Sequence, residues 1–155
     1  MKINETFRAE LDGAVLCWLA TVDGDGMPNV TPKEIFTVHD EETLVVADIM
    51  SSNSVRNIGG QPRACLSFVD VFRQRGFKAA GSARIIAQDD PNFERFAAGL
   101  IDLAGPDYPV RNVIALRIEK ISRIWAPSYQ LFPERSEGER MAEAFRRYRV
   151  RPNAE

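Results

Sequence analysis

The amino-acid sequence predicts a mainly β fold of the α+β class, a six-stranded antiparallel barrel with peripheral helices. Six apolar, strand-like segments are joined mostly by short turns, and helical spacing is confined to the chain ends and a few joints. A parallel fold would instead need a helix after nearly every strand. Because the 155 residues contain no repeat, low-complexity segment or linker, we expect residues 1–155 to form a single domain.

The first elements are a helix and a buried strand. Asn4 predicts the helix start, because its side chain can accept a hydrogen bond from the first turn, and Gly13 predicts the helix end. Residues 14–22 are largely apolar, which indicates a buried strand. The two Asp-Gly pairs at residues 23–26 predict a tight turn, because Asp and Gly tolerate positive φ angles.

The return strand covers residues 27–38 and contains Pro32. Proline has no N–H to donate to a ladder, so this strand should lie at a sheet edge or break at Pro32. The third strand, residues 42–48, leads into a helix that should begin near residues 51–53.

Residues 63–71 and 77–87 are the fourth and fifth strands, joined by a turn at residues 73–76. A helix should follow, with Asp90 as its cap and Pro91 as its first residue. Its apolar residues recur at helical spacing and should form one buried face: Phe93, Phe96, Ala97, Leu100 and Ile101.

The sixth strand spans residues 112–126, after a helix end at Gly105. A last helix should begin at Ser136, where Glu139 completes a capping box.

Composition excludes several classes of function. A net charge of −2 gives no field that would favour nucleic acid or an anionic membrane. No apolar run approaches the roughly 18 residues of a membrane helix, and the charged N-terminus is unlike a signal peptide. We therefore expect a cytoplasmic protein with no nucleic-acid or membrane partner.

Residues with reactive side chains are few. Cys17 and Cys65 lie in apolar strands, where free thiols are favoured over a disulfide, and His39 is expected at the surface. One histidine and no CxxC motif argue against a zinc site, so no metal is predicted. No catalytic triad or P-loop pattern is present, and the catalytic residues are left unassigned.

One polar cluster suggests a binding site. Residues 51–54 supply three hydroxyls and an amide at the expected helix start, where capping needs one. Backbone N–H groups at a helix start bind phosphate well, and Lys33 or Lys78 would add positive charge. Redundant capping is the alternative for the cluster, and a solvated edge strand is the alternative for Lys33.

Four segments of the chain together show a known pattern: "CWLATVDGDGMPNVTPKEIF" (17–36), "TLVVADIMSSNSVRNI" (43–58), "PRACLSFVD" (62–70) and "GFKAAGSARII" (76–86). On these segments, the chain from about residue 7 to residue 125 resembles the FMN-binding split barrels related to pyridoxamine 5′-phosphate oxidase. The resemblance implies a six-stranded split barrel that forms a homodimer, with FMN at the subunit interface.

The resemblance also implies a set of cofactor-binding residues. The second strand would run beside the flavin ring and ribityl chain, the third strand would line the same ligand, and the helix start would meet the phosphate. The implied residues are Thr31, Pro32, Lys33, Val46, Ala47, Asp48, Ser52, Asn53, Ser54 and Lys78. Trp125 and Tyr129 would either cover the partner subunit's flavin or pack within a buried tail. Many relatives carry a basic residue at the positions of Ser51 or Asn53, so either Lys33, Lys78, Arg73 or Arg75 compensates for it, or FMN binding is weak.

The function implied is that of an FMN-dependent oxidoreductase, a flavoprotein whose substrate the sequence does not identify. The alternatives are a non-enzymatic flavin-binding or stress-related protein, and a split barrel that uses a deazaflavin coenzyme or haem. The chain from about residue 126 does not match the substrate-binding segment of true pyridoxamine phosphate oxidases, so pyridoxal phosphate synthesis is not expected.

Overall fold

The computed structural model describes residues 2–153, which contain one antiparallel sheet of seven strands. The strands are β1 (Cys17–Val22), β2 (Pro28–Lys33), β3 (Phe36–Val38), β4 (Thr43–Asp48), β5 (Arg63–Asp70), β6 (Arg75–Ala87) and β7 (Asn112–Trp125). Their order across the sheet is β2-β1-β5-β6-β7-β4-β3. The sheet curls into a half-barrel flanked by helices, which confirms the predicted mainly β split-barrel class.

The predicted strand 27–38 is divided, which raises the strand count from six to seven. Its parts, β2 and β3, lie at opposite edges of the sheet although only Glu34 and Ile35 separate them. Three residue steps span at most about 10 Å, so the two edges must approach each other and the sheet must curl. Beyond Lys33 the chain changes partners, and the Ile35 carbonyl accepts a hydrogen bond from the Ala47 N–H (2.9 Å). The predicted edge position is confirmed, whereas the break falls at Glu34 and Ile35, because Pro32 and Lys33 still pair with β1.

Five helices surround this sheet within residues 2–153: α1 (Glu5–Asp12), α2 (Ser52–Gly60), α3 (Phe93–Ala104), α4 (Ser128–Leu131) and α5 (Glu137–Tyr148). Asn4 caps α1 by accepting the Phe7 N–H (2.9 Å), and Ser136 and Glu139 form the predicted capping box of α5. None of these helices is long and apolar enough to cross a membrane.

Helix α3 differs from its prediction in two ways. It begins at Phe93, not Pro91, because the Asp90 carboxylate accepts the Asn92 N–H (2.8 Å) and holds the preceding residues in a turn. Ile101 is 48% exposed, since it lies about 100° around the helix from its buried neighbour Leu100.

The core has two parts, one inside the half-barrel and one between the sheet and α3. Strand β4 separates them: Leu44 and Val46 point into the barrel, while Val45 and Ala47 pack under α3. Burial on both faces accounts for the continuous apolar sequence of this strand.

The predicted turn at residues 73–76 lies two residues earlier. Residues 71–74 form the turn, where Gln74 has a positive φ of 56°, and Gly76 lies inside β6. A side chain at Gly76 would meet the Phe68 carbonyl oxygen at 2.0 Å, so this glycine serves close strand packing rather than the turn.

Cys17 is a buried free thiol, as predicted, and Cys65 is a half-buried one. His39 is not a freely solvated residue. Its ring stacks on Phe96, with the ring centroids 4.0 Å apart, because the turn that carries it folds against α3.

Candidate functional site

Three of the chain's polar residues meet where β2, β4 and α2 come together. The Lys33 ammonium, at the end of β2, donates a hydrogen bond to the Ser51 hydroxyl. The Ser51 N–H in turn donates to the carboxylate of Asp48 at the end of β4 (2.7 Å). Lys33 and Asp48 lie 15 positions apart along the chain, and Asp48 and Ser51 lie 3 positions apart. The curl of the sheet brings Lys33 to the other two residues.

Asp48 is buried at the base of this cluster, and both of its carboxylate oxygens accept hydrogen bonds. It is 5% exposed, and its second carboxylate oxygen accepts a hydrogen bond from the Asn112 side-chain amide (2.6 Å). Asp48 and Asn112 face each other across the β4–β7 ladder. Asn112 was not among the predicted site residues, because nothing in the sequence pairs two residues that lie 64 positions apart.

The start of α2 has no side-chain cap among the described residues. Ser51 occupies the cap position, but its hydroxyl is engaged by Lys33 and makes no capping hydrogen bond. The first N–H groups of a helix have no acceptor within the helix, and the helix dipole makes this end positive. An uncapped helix start therefore lies beside an ammonium group.

The remaining residues of the polar cluster differ in accessibility. Ser52 and Asn53 are exposed, and the Asn53 side chain accepts a hydrogen bond from Arg56 (2.8 Å). Ser54 is fully buried, with its hydroxyl 3.5 Å from that of Thr31. The Ser54 side chain therefore ties α2 to β2 and is not open to a ligand.

Burial shifts the pKa values of two neighbouring side chains, Lys33 and Cys17. The pKa of Lys33 is lowered by desolvation, and the nearby Asp48 carboxylate opposes that shift. Burial also raises the pKa of the neighbouring Cys17 thiol to about 12, so Cys17 is neutral at physiological pH. Lys33 is therefore a half-buried cation whose partners are Ser51 and Asp48.

A cavity of about 490 Å³ opens next to this cluster. It is lined by Pro32, Lys33, Glu34, Ile35, Ala47, Ile49, Met50, Ser51, Leu103, Ala104 and Tyr108. Lys33, Glu34 and Ser51 contribute polar groups to this lining, and most of the remaining lining residues are apolar. The contributions of Leu103 and Tyr108 were not predicted, because they come from α3 and the loop after it, far along the chain from β2 and β4.

Three predicted site residues lie elsewhere within the chain. The Val46 side chain is fully buried in the barrel core. Lys78 is exposed on the outer face of β6, between Ser67 and Ser122 of the neighbouring strands. Trp125, at the end of β7, packs on Tyr129 with the ring centroids 4.7 Å apart.

One known protein family matches most of this chain. The family model described as pyridoxamine 5′-phosphate oxidase matches residues 3–125, most of the chain. The chain belongs to the pyridoxamine 5′-phosphate oxidase family. The family match ends at the last residue of β7, so α4 and α5 lie outside it. No curated protein matches the chain at a significant level.

Solved structures with this fold include proteins that use different ligands. An FMN-binding protein from Syntrophomonas wolfei is 16% identical, with a TM-score of 0.67 over 79% of this chain and 86% of its own. An F420 reductase is 26% identical, with a TM-score of 0.57 over 77% of this chain and 98% of its own. HutZ, the heme storage protein from Vibrio cholerae, is 18% identical, with a TM-score of 0.63 over 79% of this chain and 94% of its own. The fold is thus shared by proteins described as FMN-binding, as an F420 reductase and as a heme storage protein.

Proposed function

We propose that this member of the pyridoxamine 5′-phosphate oxidase family binds FMN and acts as an FMN-dependent oxidoreductase. The observation that carries the proposal is the uncapped start of α2 beside the half-buried Lys33. This arrangement presents backbone N–H groups, a hydroxyl and a cation to the same point. These are the groups that bind a phosphate ester in proteins.

The residues present fit the FMN phosphate. The Lys33 ammonium and the Ser51 hydroxyl would bind it together with the first N–H groups of α2, at the residues Ser52 and Asn53. Asp48 would keep Ser51 and Lys33 in place through its hydrogen bond to the Ser51 N–H. Bound FMN would supply the electron-transfer chemistry, while the protein positions the ring and limits its contact with water.

The family's other ligands define the alternatives. A non-enzymatic flavin-binding protein would use the same phosphate site, and a split barrel that binds a deazaflavin coenzyme would place its own anionic phosphate there. The haem alternative has less support, because the single histidine of the chain, His39, stacks on Phe96 and is not among the residues lining the cavity. The free thiols of Cys17 and Cys65 are consistent with the reducing cytoplasm as the compartment.

The absorption spectrum of the freshly purified protein tests the cofactor. We expect an oxidised flavin spectrum, and bleaching by NAD(P)H with turnover of an added electron acceptor. A flavin that is bound but never turned over would indicate a binding protein, and a haem or deazaflavin spectrum would contradict the FMN assignment.

We further propose that the protein is a homodimer with the cofactor site at the subunit interface. The outer face of β1 and β2 exposes the large apolar side chains of Trp18 and Val30. Trp18 pairs with Pro32, which also lines the cavity, so a second subunit on this face would border the cavity. Lys78 lies on the same face and would reach only the site of a partner subunit.

Dimerisation predicts a specific sedimentation result. At micromolar concentration the protein should sediment at about twice the chain mass of 17.4 kDa. Trp18→Glu should shift the protein towards monomer, because it places a charge in the proposed interface. A wild-type protein that sediments as a monomer would contradict the shared-site proposal.

A further inference from the structure

A second cavity, of about 250 Å³, lies in the part of the chain beyond the family match. Apart from Gln74, in the turn before β6, its lining comes from residues 126–147, which include α4 and most of α5. Among the described residues, this cavity and the one beside Lys33 share no lining residue. The proposed FMN site therefore does not include it.

Arg140, on α5, is a buried cation at this cavity. It is 6% exposed, and its guanidinium stacks on the Tyr129 ring, 4.3 Å from the ring centroid. Its Nη1 donates to the Ser128 carbonyl (3.1 Å), and its Nη2 donates to the Phe132 carbonyl (2.8 Å). A guanidinium has five N–H groups, so these two bonds leave most of its donors unused within residues 2–153.

The charge of Arg140 has no carboxylate partner within the described part of the chain. The adjacent Glu139 is exposed, and its carboxylate accepts hydrogen bonds from Ser136 instead. Beside the same cavity, the buried Ser128 hydroxyl also has no hydrogen-bond partner among residues 2–153. Because buried charges and hydroxyls are costly without partners, two such groups at one cavity indicate a polar ligand.

The other charges at the cavity favour an anion. Arg135 and Arg147 line it together with Arg140, whereas Glu143 is the single carboxylate among its described lining residues. Glu143 pairs with Arg135 (3.3 Å), which leaves the charges of Arg140 and Arg147 uncompensated. The planar fork of arginine matches the oxygens of a phosphate group. The ligand should therefore carry about two negative charges, as a phosphate monoester does.

The size and the remaining lining of the cavity limit the rest of the ligand. About 250 Å³ is less than the roughly 300–1,000 Å³ of pockets that hold drug-sized ligands. Four apolar residues also line it: Ala126, Pro127, Phe132 and Ala144. We infer that this cavity binds a small phosphate monoester, with Arg140 and Arg147 holding the phosphate and the apolar residues contacting its short carbon chain.

Three probes with nearly the same carbon chain test the inference. We would titrate glycerol 3-phosphate, glycerate and glycerol into FMN-saturated protein by calorimetry, at constant ionic strength because salt screens exposed charges. We expect glycerol 3-phosphate to bind at one site per chain, at least about tenfold more tightly than glycerate, whose single charge matches the two arginines less well. Glycerol should not bind. Absence of saturable binding, or equal affinity for glycerol 3-phosphate and either other probe, would overturn the inference.

Inorganic phosphate is the fourth probe, and it distinguishes an ester from the free ion. It should compete with glycerol 3-phosphate but bind about threefold or more weakly, because it makes no apolar contact. Inorganic phosphate that binds as tightly as the ester would overturn the assignment of an ester.

Arg147→Gln tests the exposed cation of the site. It should weaken the binding of glycerol 3-phosphate by about tenfold or more, since a charged hydrogen bond is lost. Arg146→Gln is the matched control, because Arg146 is the preceding residue of α5 but does not line this cavity, and its variant should bind as wild type does. Equal losses in the two variants, or no loss in Arg147→Gln, would overturn the inference.

Glu143→Gln should have the opposite effect. Removal of the carboxylate from the lining should strengthen the binding of glycerol 3-phosphate by about threefold or more, and weaker binding would contradict the assignment. Arg140→Gln should abolish binding, but it also removes the bonds to Ser128 and Phe132. The exposed residues Glu143 and Arg147 therefore provide the decisive variants, since their replacement leaves those bonds in place.

This result can be separated from that of the proposed function. Lys33→Met without FMN should bind glycerol 3-phosphate as the FMN-saturated wild type does, because Lys33 does not line this cavity. If the protein fails to bind FMN while this binding persists, the proposed cofactor is wrong and the second site stands. If Lys33→Met loses the binding of glycerol 3-phosphate, the ligand occupies the site at Lys33 and the inference is wrong.

Discussion

Riboflavin is expected to bind this protein about 2–4 kcal/mol more weakly than FMN, which is a loss of about 30-fold to 1,000-fold in affinity. FMN differs from riboflavin by its phosphate, so the comparison isolates the end of the site at Lys33 and the start of α2. Two or three charge-assisted hydrogen bonds, less their desolvation cost, account for the magnitude. Titration of flavin fluorescence measures both affinities, and equal values would rule out the phosphate assignment.

The Lys33→Met variant assigns part of this preference to one side chain. Methionine keeps much of the apolar stem and removes the charge. FMN binding should weaken by about 1–2 kcal/mol, as for one charged hydrogen bond, while riboflavin binding stays nearly unchanged. Lys78→Met is the companion variant, since Lys78 lies on the outer face and would contribute only through a partner subunit. If Lys78→Met loses FMN and Lys33→Met does not, the positive charge has been assigned to the wrong residue.

The pH dependence should follow from the burial of Lys33. Because desolvation lowers the pKa of Lys33, the unliganded protein loses this charge at a lower pH than an exposed lysine would. The phosphate of FMN is already doubly ionised above about pH 7. Of the two partners in this contact, therefore, only Lys33 changes its charge above that pH. The preference for FMN over riboflavin should therefore decrease as the pH rises through the lowered pKa. The same decrease in Lys33→Met would contradict this explanation.

Gly81→Ala is expected to destabilise the fold by about 3 kcal/mol or more, which lowers the melting temperature by about 6–12 °C. A side chain at Gly81 would meet the Arg117 carbonyl oxygen at 1.9 Å. The register between β6 and β7 shifts between Ala80 and Gly81, so the two backbones approach each other too closely for a Cβ atom. Relief requires movement of backbone in both strands.

Gly59→Ala provides the matched control, because it makes the same chemical change in a different environment. Gly59 lies in α2, and no atom of another segment lies within 4 Å of the position that an alanine Cβ would take there. Alanine should therefore stabilise the helix by about 0.5–1 kcal/mol, through its better helix propensity. Thermal unfolding of both variants at one protein concentration should give shifts of opposite sign. A Gly81→Ala protein as stable as wild type would show that β6 and β7 are not this close.

Much of the fold could be predicted because its signals are local. Asn4 and Ser136 cap helices through hydrogen bonds to residues three positions away, and these bonds are written in the sequence as spacing. The predicted start of α3 is two residues too early, because Asp90 can satisfy either a turn or a helix. The choice between the two depends on how the next residues pack against the sheet.

The candidate site could be predicted in part. The resemblance indicated Lys33, Asp48 and the start of α2, and the structure brings these together. It could not indicate that Lys33 would engage the Ser51 hydroxyl, or that Ser54 would be buried against Thr31. Those contacts depend on the distance between β2 and α2, which no local pattern contains.

By itself, the sequence determined the mainly β class, the hairpin at residues 23–26, the break near Pro32 and the polar helix start after β4. Each of these follows from a residue's own backbone preferences or from periodicity over a few positions. Only the tertiary structure decided that β2 and β3 occupy opposite edges of one sheet, that Asn112 holds Asp48, and that Leu103 and Tyr108 meet Met50 at one cavity. Each of these contacts joins residues that lie far apart along the chain. They form because burial of the apolar faces of β4 and α3 curls the sheet, and the curl fixes which segments become neighbours.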